Sequence, residues 1–504
     1  MTVLPKLRAT SWWPRLVPWL TGLLTLIVFG AATPALIRFR DYVQLALAYA
    51  SPLDPQEGFA LWETDRWRAG LGFYVPIERY SFVSAPYPPV HPFLLRLIGS
   101  ANGPHVFWGG RMLALAALVA IAAGAMWLVR RVSGSWLGGV AAIGLVLAQP
   151  TFQLWSMRIK PDLVGLAATV VGLALVAQAC CPSEDHDMPQ RSPGWLQSAL
   201  WALLFVVAHF TKQTLVAGPL AAATLLWLRD HRAALRFGVT FVVLLVLPWL
   251  ALDLLTHGQY TYHIWFLHQL GWKVSLWLKL VRLLAPLWPL MLLSLVGLVA
   301  TWRTPTIINA YILWAPLSLL GAGVQGANHN HLLETGLALA LAGGQALGFG
   351  LRSVLTTLVV RRHAALLLAL PLLALQWLLL ATPGTWFRGE FTPDPRYGRY
   401  INFIRATAGE ILADDVGLLY AAGRPLRYDD PSTMGPAAAR GLWDESGLLD
   451  DLRNHRFSAV ILPVNTNTDG LIDPSGHWTP AALQTLATYY RVKFPDTRTI
   501  YVPK

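Results

Sequence analysis

The sequence predicts a mainly α protein, a polytopic transmembrane helical bundle of about eleven spans with a small extracytoplasmic C-terminal α/β domain. Three observations carry that expectation. Of 504 residues, 55% are hydrophobic and 13% charged, whereas a soluble domain carries about 25% charged residues. Apolar runs recur through the first three quarters of the chain, most of them close to the roughly 20 residues a helix needs to cross the hydrocarbon core, with the short runs at 195–210 and 214–228 expected to lengthen at their cytoplasmic ends. The runs do not alternate as barrel strands would, and a backbone in lipid has to satisfy its own polar groups, so they are helices.

Taken in order, the spans fall near residues 16–37, 106–129, 136–156, 162–180, 195–210, 214–228, 237–256, 278–301, 306–326, 331–350 and 364–382. The first run is too long for a secretory h-region and lacks a small-residue cleavage site, so it is expected to stay as a signal anchor. A long outer loop, residues 38–105, follows it. Lys6, Arg8 and Arg15 place the N-terminus in the cytoplasm. Cytoplasmic turns then hold Arg130, Arg131, Arg191, Arg229, Arg232, Arg236, Arg303, Arg352, Arg361 and Arg362. The short outer turns hold fewer cations: Arg158, Lys160, Lys212, Lys273, Lys279 and Arg282. That asymmetry orients the chain in a plasma (inner) membrane with its C-terminus outside. The 23 tryptophans suit interfacial belts.

Two units result, a membrane unit over residues 1–382 that includes the outer loop, and a tail over residues 384–504. In the tail, residues 410–413 and 458–464 read as strands and 492–502 as a strand pair. Residues 416–422 and 479–490 read as helices, the second with Thr479 as cap and Pro480 in its first turn. These make a small α/β domain.

The formal charge of +12 does not indicate nucleic acid, because the basic residues are scattered between apolar runs and form no patch. The two cysteines, Cys180 and Cys181, are adjacent and give no disulfide framework. His257, His263 and His268 share a loop, as do His329 and His331, without a carboxylate at familiar zinc spacing. No cofactor is expected, and a divalent metal is not supported. Asp414, Asp415, Asp429 and Asp430 read as loop and cap residues.

The polar groups that stand near lipid are more informative. The outer loop carries Asp54-Pro-Gln-Glu57-Gly58 and then Tyr87-Pro88-Pro89. Arg158-Ile-Lys160-Pro-Asp162 joins two spans, Lys212-Gln213 interrupts an apolar stretch, and Asn328-His-Asn330-His-Leu-Leu-Glu334 opens a late span. Each alone reads as turn chemistry or snorkelling, or as a functional group, because ionisable residues in a membrane bundle are functional candidates. All fall on the outer side. A carboxylate held above the bilayer can act as a general base. Lys and Arg at headgroup depth can hold a lipid phosphate.

The order of these motifs resembles the GT-C superfamily of membrane glycosyltransferases, and within it the bacterial relatives of the dolichyl-phosphate-mannose–protein mannosyltransferases. The matching residues are Asp54, Glu57 and Gly58 in the first outer loop, Tyr87-Pro88-Pro89 in its return, and Arg111 opening the second main span. Arg158 to Asp162, Thr211-Lys212-Gln213 and Asn328 to Glu334 match later motifs, with His331 where a tyrosine is usual. Pro55 and Gln56 separate the acids of a D-E type motif.

The resemblance implies a polyprenyl-phosphate sugar as donor and an acceptor hydroxyl on protein, lipid or glycan, with membrane lipid as the surroundings. It implies Asp54, then Glu57, as the catalytic carboxylate. Arg158, Lys160, Lys212 and Arg111 would bind the donor phosphate, and Asp162, Gln213, Tyr87, Asn330 and Glu334 would orient substrate. Two readings from other classes stand beside it: a lipid or solute transporter without transferase chemistry, and a membrane scaffold whose tail is a binding module.

Overall fold

A computed structural model describes residues 13–77, 82–99, 103–180, 192–301, 303–356, 360–463, 465–467, 470–473 and 476–504. Lys6, Arg8, Cys181, Arg191 and Val464, read above, lie outside the described residues. The membrane bundle begins with α1 (Trp13–Ala48), α2 (Gln56–Arg68), α3 (Val90–Ile98), α4 (Trp108–Ser133), α5 (Trp136–Ala148) and α6 (Pro150–Trp155). It continues with α7 (Asp162–Cys180), α8 (Trp195–Thr211), α9 (Ala217–Arg229) and α10 (His231–Leu255). Later helical segments are Val274–Val281, Trp288–Ala300, Ile307–Trp314, Leu333–Thr356 and Val360–Ala381. Among the described residues, five stretches are long and apolar enough to cross a membrane, and shorter apolar helices accompany them.

Local chemistry sets the helix ends. Gly134 ends α4 in the left-handed region at φ 69°, returning its N–H to Arg130, a role glycine fills without Cβ strain. Ser135 then caps α5 by accepting from the Gly138 N–H, and Asp230 caps α10 by accepting from Arg232 and Ala233.

Three expected spans are broken helices. The 136–156 run breaks at Gln149, whose extended backbone leads into Pro150 at the start of α6. The 278–301 run passes through a 3-10 turn, Arg282–Leu287, that contains Pro286. The 306–326 run tightens to 3-10 geometry over Ala315–Gly323. Irregular backbone at membrane depth persists only where protein or a cavity covers it.

The first span departs from expectation. Helix α1 continues to Ala48 and takes in residues 38–48, assigned above to the outer loop. The Arg38 guanidinium donates to Gln153 Oε1 at 2.8 Å and to the Ala381 carbonyl at 2.8 Å. Its charge is met by neighbouring helices, so the helix does not have to end there.

In the tail, strands β1 (Glu410–Ala413), β2 (Phe457–Leu462), β5 (Tyr490–Phe494) and β6 (Thr499–Pro503) form one sheet in the order β1-β2-β6-β5. The β1-β2 pair is parallel and the other two are antiparallel. Strands β3 (Asn465–Asn467) and β4 (Gly470–Ile472) form a separate hairpin. Thr479 caps the helix Pro480–Tyr489 by accepting from the Ala482 N–H at 3.1 Å. Helices Tyr397–Ala406, Pro431–Ala439 and Ser446–Arg453 were not foreseen.

The tail is welded to the outer loop. One apolar core joins Phe59, Leu95, Phe107 and Ile159 to Ile401, Leu418 and Leu419. A parallel bridge pairs Phe82 with Tyr428. At the closest approach, a Cβ on Gly58 would stand 2.4 Å from the Gly417 Cα, so two glycines set the distance between α2 and the tail helix Val416–Ala421.

Candidate active site

The turn after α1 places Asp54 one residue before Pro55, the N-cap of α2. Asp54 is 6% exposed. One carboxylate oxygen accepts the Gln56 N–H at 3.0 Å. The other stands 3.2 Å from Lys160 Nζ and 3.6 Å from Arg158 Nη1. Burial works to raise its pKa, but Lys160, Arg158 and the Gln56 N–H together hold it below the usual carboxylate range.

The cations come from the short connection between α6 and α7. Lys160 also donates to Gln56 Oε1 at 2.7 Å. Arg158 pairs with Glu390, just beyond the last span. Both cations lie against the Trp155 ring, at 4.7 Å for Arg158 and 5.7 Å for Lys160.

A second polar group sits alongside. Asp162 opens α7 and pairs with Lys212, which follows α8. Asp162 also accepts from Trp155 Nε1 at 3.3 Å and interacts with Asn330. Glu334 is buried; one oxygen accepts from Tyr311 at 3.3 Å and the other has no hydrogen-bond partner. Asp162, Lys212, Asn330 and Glu334 line a hollow of about 10 Å³, room for one water. Tyr87 donates to Gln56 Oε1 at 3.4 Å, and Gln213 donates to the Pro86 carbonyl at 3.4 Å.

Asp54, Gln56 and Lys160 instead line an outer hollow of about 190 Å³, closed by Asp414, Asp430 and His477 of the tail. Asp54 and Lys212 line different hollows, and Trp155, bonded to Asp162 and 5.7 Å from Lys160, touches a lining residue of each. Asp430 is both a wall of the outer hollow and the acceptor for Thr433 at the start of its helix. His477 faces Asp414 at 2.9 Å. Burial works to lower the His477 pKa, and Asp414 raises it.

Glu57 and Arg111 stand apart from this open face. Arg111 is 1% exposed and donates to the carbonyls of Ala46, Tyr49 and Ser51 and to Glu57 at 3.0 Å. Glu57 also accepts from the Leu53 and Ile159 N–H groups. Both Glu57 oxygens and both terminal nitrogens of Arg111 are occupied by one another and by backbone, with Arg111 Nε alone left without a hydrogen-bond partner, and this pairing acts as a structural pin.

A larger cavity, about 600 Å³, lies beside the cluster. Its walls are apolar residues of 283–287 and 378–383 with Phe387, and Arg282 stands on its lining. The Phe387 ring is 5.0 Å from His329, and His329 is 6.1 Å from Trp155. An aromatic path thus joins the apolar cavity to the cations.

Sequence reasoning missed Glu390 as part of the site and treated Gln56 only as a separator. The available signal for Glu390 was a lone acid just past a span end on the side of the basic turns. Among the histidines, His263 is structural: its two ring nitrogens face backbone carbonyls, Ser84 at 2.8 Å and Val75 at 2.7 Å.

No family model matches the sequence, and no curated protein matches it either. Solved structures do match in fold. ArnT from Cupriavidus metallidurans in the apo state is 15% identical with a TM-score of 0.58, and the match covers 98% of each chain. The same protein bound to undecaprenyl phosphate gives a TM-score of 0.55 at the same identity and coverage. The archaeal oligosaccharyltransferase AglB from Archaeoglobus fulgidus, in complex with an inhibitory peptide and a dolichol-phosphate, is 11% identical with a TM-score of 0.52. That match covers 98% of this chain and 75% of AglB. The chain therefore shares its fold with ArnT along nearly its whole length and with AglB over three quarters of the latter, a mainly helical architecture with a small C-terminal sheet region in this chain.

Proposed function

We propose that this chain is a membrane glycosyltransferase that moves a sugar from a polyprenyl-phosphate donor to an acceptor hydroxyl on the extracytoplasmic side. One observation carries the reading: Asp54 stands between Lys160 and Arg158 where the membrane bundle meets the outer layer. The fold shared with proteins solved with undecaprenyl phosphate and dolichol-phosphate supports it.

In this reading the prenyl tail lies in the apolar cavity and the phosphate meets Arg158 and Lys160. The acceptor enters the outer hollow over Asp54. Its oxygen attacks the anomeric carbon, the carbon–oxygen bond to phosphate breaks, and the phosphate leaves with the electron pair. Asp54 takes the acceptor's proton. The cations stabilise the charge that develops on the leaving phosphate. They also time the base. Paired with Asp54 they depress its proton affinity, and a phosphate that draws them away raises it. Lys212, Asp162, Asn330 and Glu334 support the floor beneath. Glu57 and Arg111 hold the turn that carries Asp54.

Membranes containing the protein should transfer label from radiolabelled polyprenyl-phosphate sugars, mannosyl donors included, to an acceptor. Asp54→Asn should cut that rate by about 10²–10⁴ with normal membrane insertion, because the asparagine oxygen keeps the Gln56 N–H bond. Full activity in Asp54→Asn would remove the base assignment. Movement of an intact lipid-linked sugar across the bilayer, with no bond cleaved, would replace the transferase by a transporter.

A further inference from the structure

Arg158 has more donors than partners. Its side chain is 4% exposed. One terminal nitrogen pairs with Glu390. The other stands 3.6 Å from Asp54, beyond hydrogen-bond length, with the buried Tyr42 hydroxyl as its neighbour, and neither it nor Nε makes a hydrogen bond of good geometry. Buried donors left unmet are costly, and the planar guanidinium fork suits a phosphate.

Its partner is less firmly held. The Glu390 side chain is 38% exposed, so the pair is half in water and contributes little to holding the segment down. Glu390 belongs to a strap made of the four-residue helix Thr385–Arg388 and the turn Gly389–Phe391. The same strap lends Gly384 and Phe387 to the wall of the 600 Å³ cavity. A Cβ on Gly384 or Gly389 would meet nothing within 4 Å. The strap is seated by Phe387, buried in the bundle core, and by the Phe391 ring at 5.2 Å from Tyr42, while Glu390 between them reaches Arg158 from the exposed side.

We propose that Glu390 holds the place of the donor's phosphate. Between turnovers its carboxylate occupies Arg158. An arriving polyprenyl-phosphate sugar displaces it, and the strap shifts as the tail fills the cavity behind Phe387. This rests on the reading of a polyprenyl-phosphate donor and adds a residue that tunes it. The exchange is balanced in charge, because the donor is a phosphodiester with one negative charge and replaces a carboxylate with one. The product is a phosphate monoester of about −1.5 to −2, which the cations hold more strongly. Return of Glu390 to Arg158 then helps to expel it.

The test uses the purified full-length protein in detergent with undecaprenyl phosphate and, as a neutral control, undecaprenol. Glu390→Gln should tighten undecaprenyl phosphate binding about two- to fivefold and leave undecaprenol unchanged. Adding Arg158→Gln should abolish that gain. In the transfer assay Glu390→Gln should lower the donor KM and also kcat, because product leaves more slowly. A merely structural role for Glu390 would not produce that split. Unchanged or weaker undecaprenyl phosphate binding in Glu390→Gln, or no binding by any form, overturns the proposal. If binding follows the expected pattern and no sugar is ever transferred, the stand-in role survives and the transferase reading falls. If sugar is transferred and Glu390→Gln binds as the parent does, the transferase reading survives and the stand-in role falls.

Discussion

Replacing Arg111 with glutamine separates two roles that its position at the opening of a span leaves open. The guanidinium bonds the carbonyls of Ala46 and Tyr49 at 2.6 Å and of Ser51 at 2.7 Å, and pairs with Glu57 at 3.0 Å. It ties together the end of α1, the turn that carries Asp54, and the start of α4. Hydrogen bonds to a charged group are worth about 1.5–3 kcal/mol each, but four that share one side chain do not add. The better guide is the loss of one partner from a buried ion pair, about 3–5 kcal/mol, and we expect Arg111→Gln to lose stability in that range. Glu57→Gln should lose a similar amount. The double variant should fall short of the sum by about 1–3 kcal/mol, since each single change already breaks the shared bond. Denaturant titration of the purified protein in detergent, followed by tryptophan fluorescence and protease resistance, measures all three. If Arg111→Gln stays within about 0.5 kcal/mol of the parent and instead raises the donor KM, the pin is refuted. Arg111 would then be the phosphate ligand its place in the sequence suggested.

Two further perturbations bear on the seam between the outer loop and the tail. Gly58→Ala puts a Cβ against the Gly417 backbone; we expect a loss of about 1–3 kcal/mol from overpacking and faster proteolysis between membrane unit and tail, and parental protease resistance would contradict it. The buried Glu63 and Asp429 carboxyls meet across the same seam. Burial pushes Glu63 from 4.5 up to about 7, and burial with the Glu63 charge pushes Asp429 up as well. The folded form therefore keeps protons that the unfolded chain has released, so this contribution is complete below pH 4.5 and is lost as pH rises through about 7. Denaturation midpoints should fall over that window, less steeply in Glu63→Gln; a parental slope in the variant would count against the pair.

Much of the fold was legible because lipid leaves a chain few choices. Each apolar run had to be a helix, and the runs at 162–180 and 195–210 became α7 and α8 within a residue or so. Thr479 and Pro480 marked a helix start through capping chemistry that needs no distant partner. The helix Pro431–Ala439 escaped notice because Gly435 and Pro436 argue against a helix, while burial of Met434 and Ala437 in the tail core overrides them.

The site divides in the same way. Residue type and order alone marked Asp54, Arg158, Lys160, Lys212 and Glu334 as polar groups at the outer end of a membrane bundle. Which of them meet was decided by packing. Asp162 and Lys212 are fifty residues apart and pair, Arg111 turns to Glu57, and Arg158 reaches Glu390 across 232 positions. The sequence by itself determined which apolar runs become helices and which ionisable groups lie among them, because those depend on local hydrophobicity and backbone satisfaction. Only the tertiary structure decided which acid faces which cation, because Coulomb attraction and hydrogen bonding act through distances that chain order does not encode.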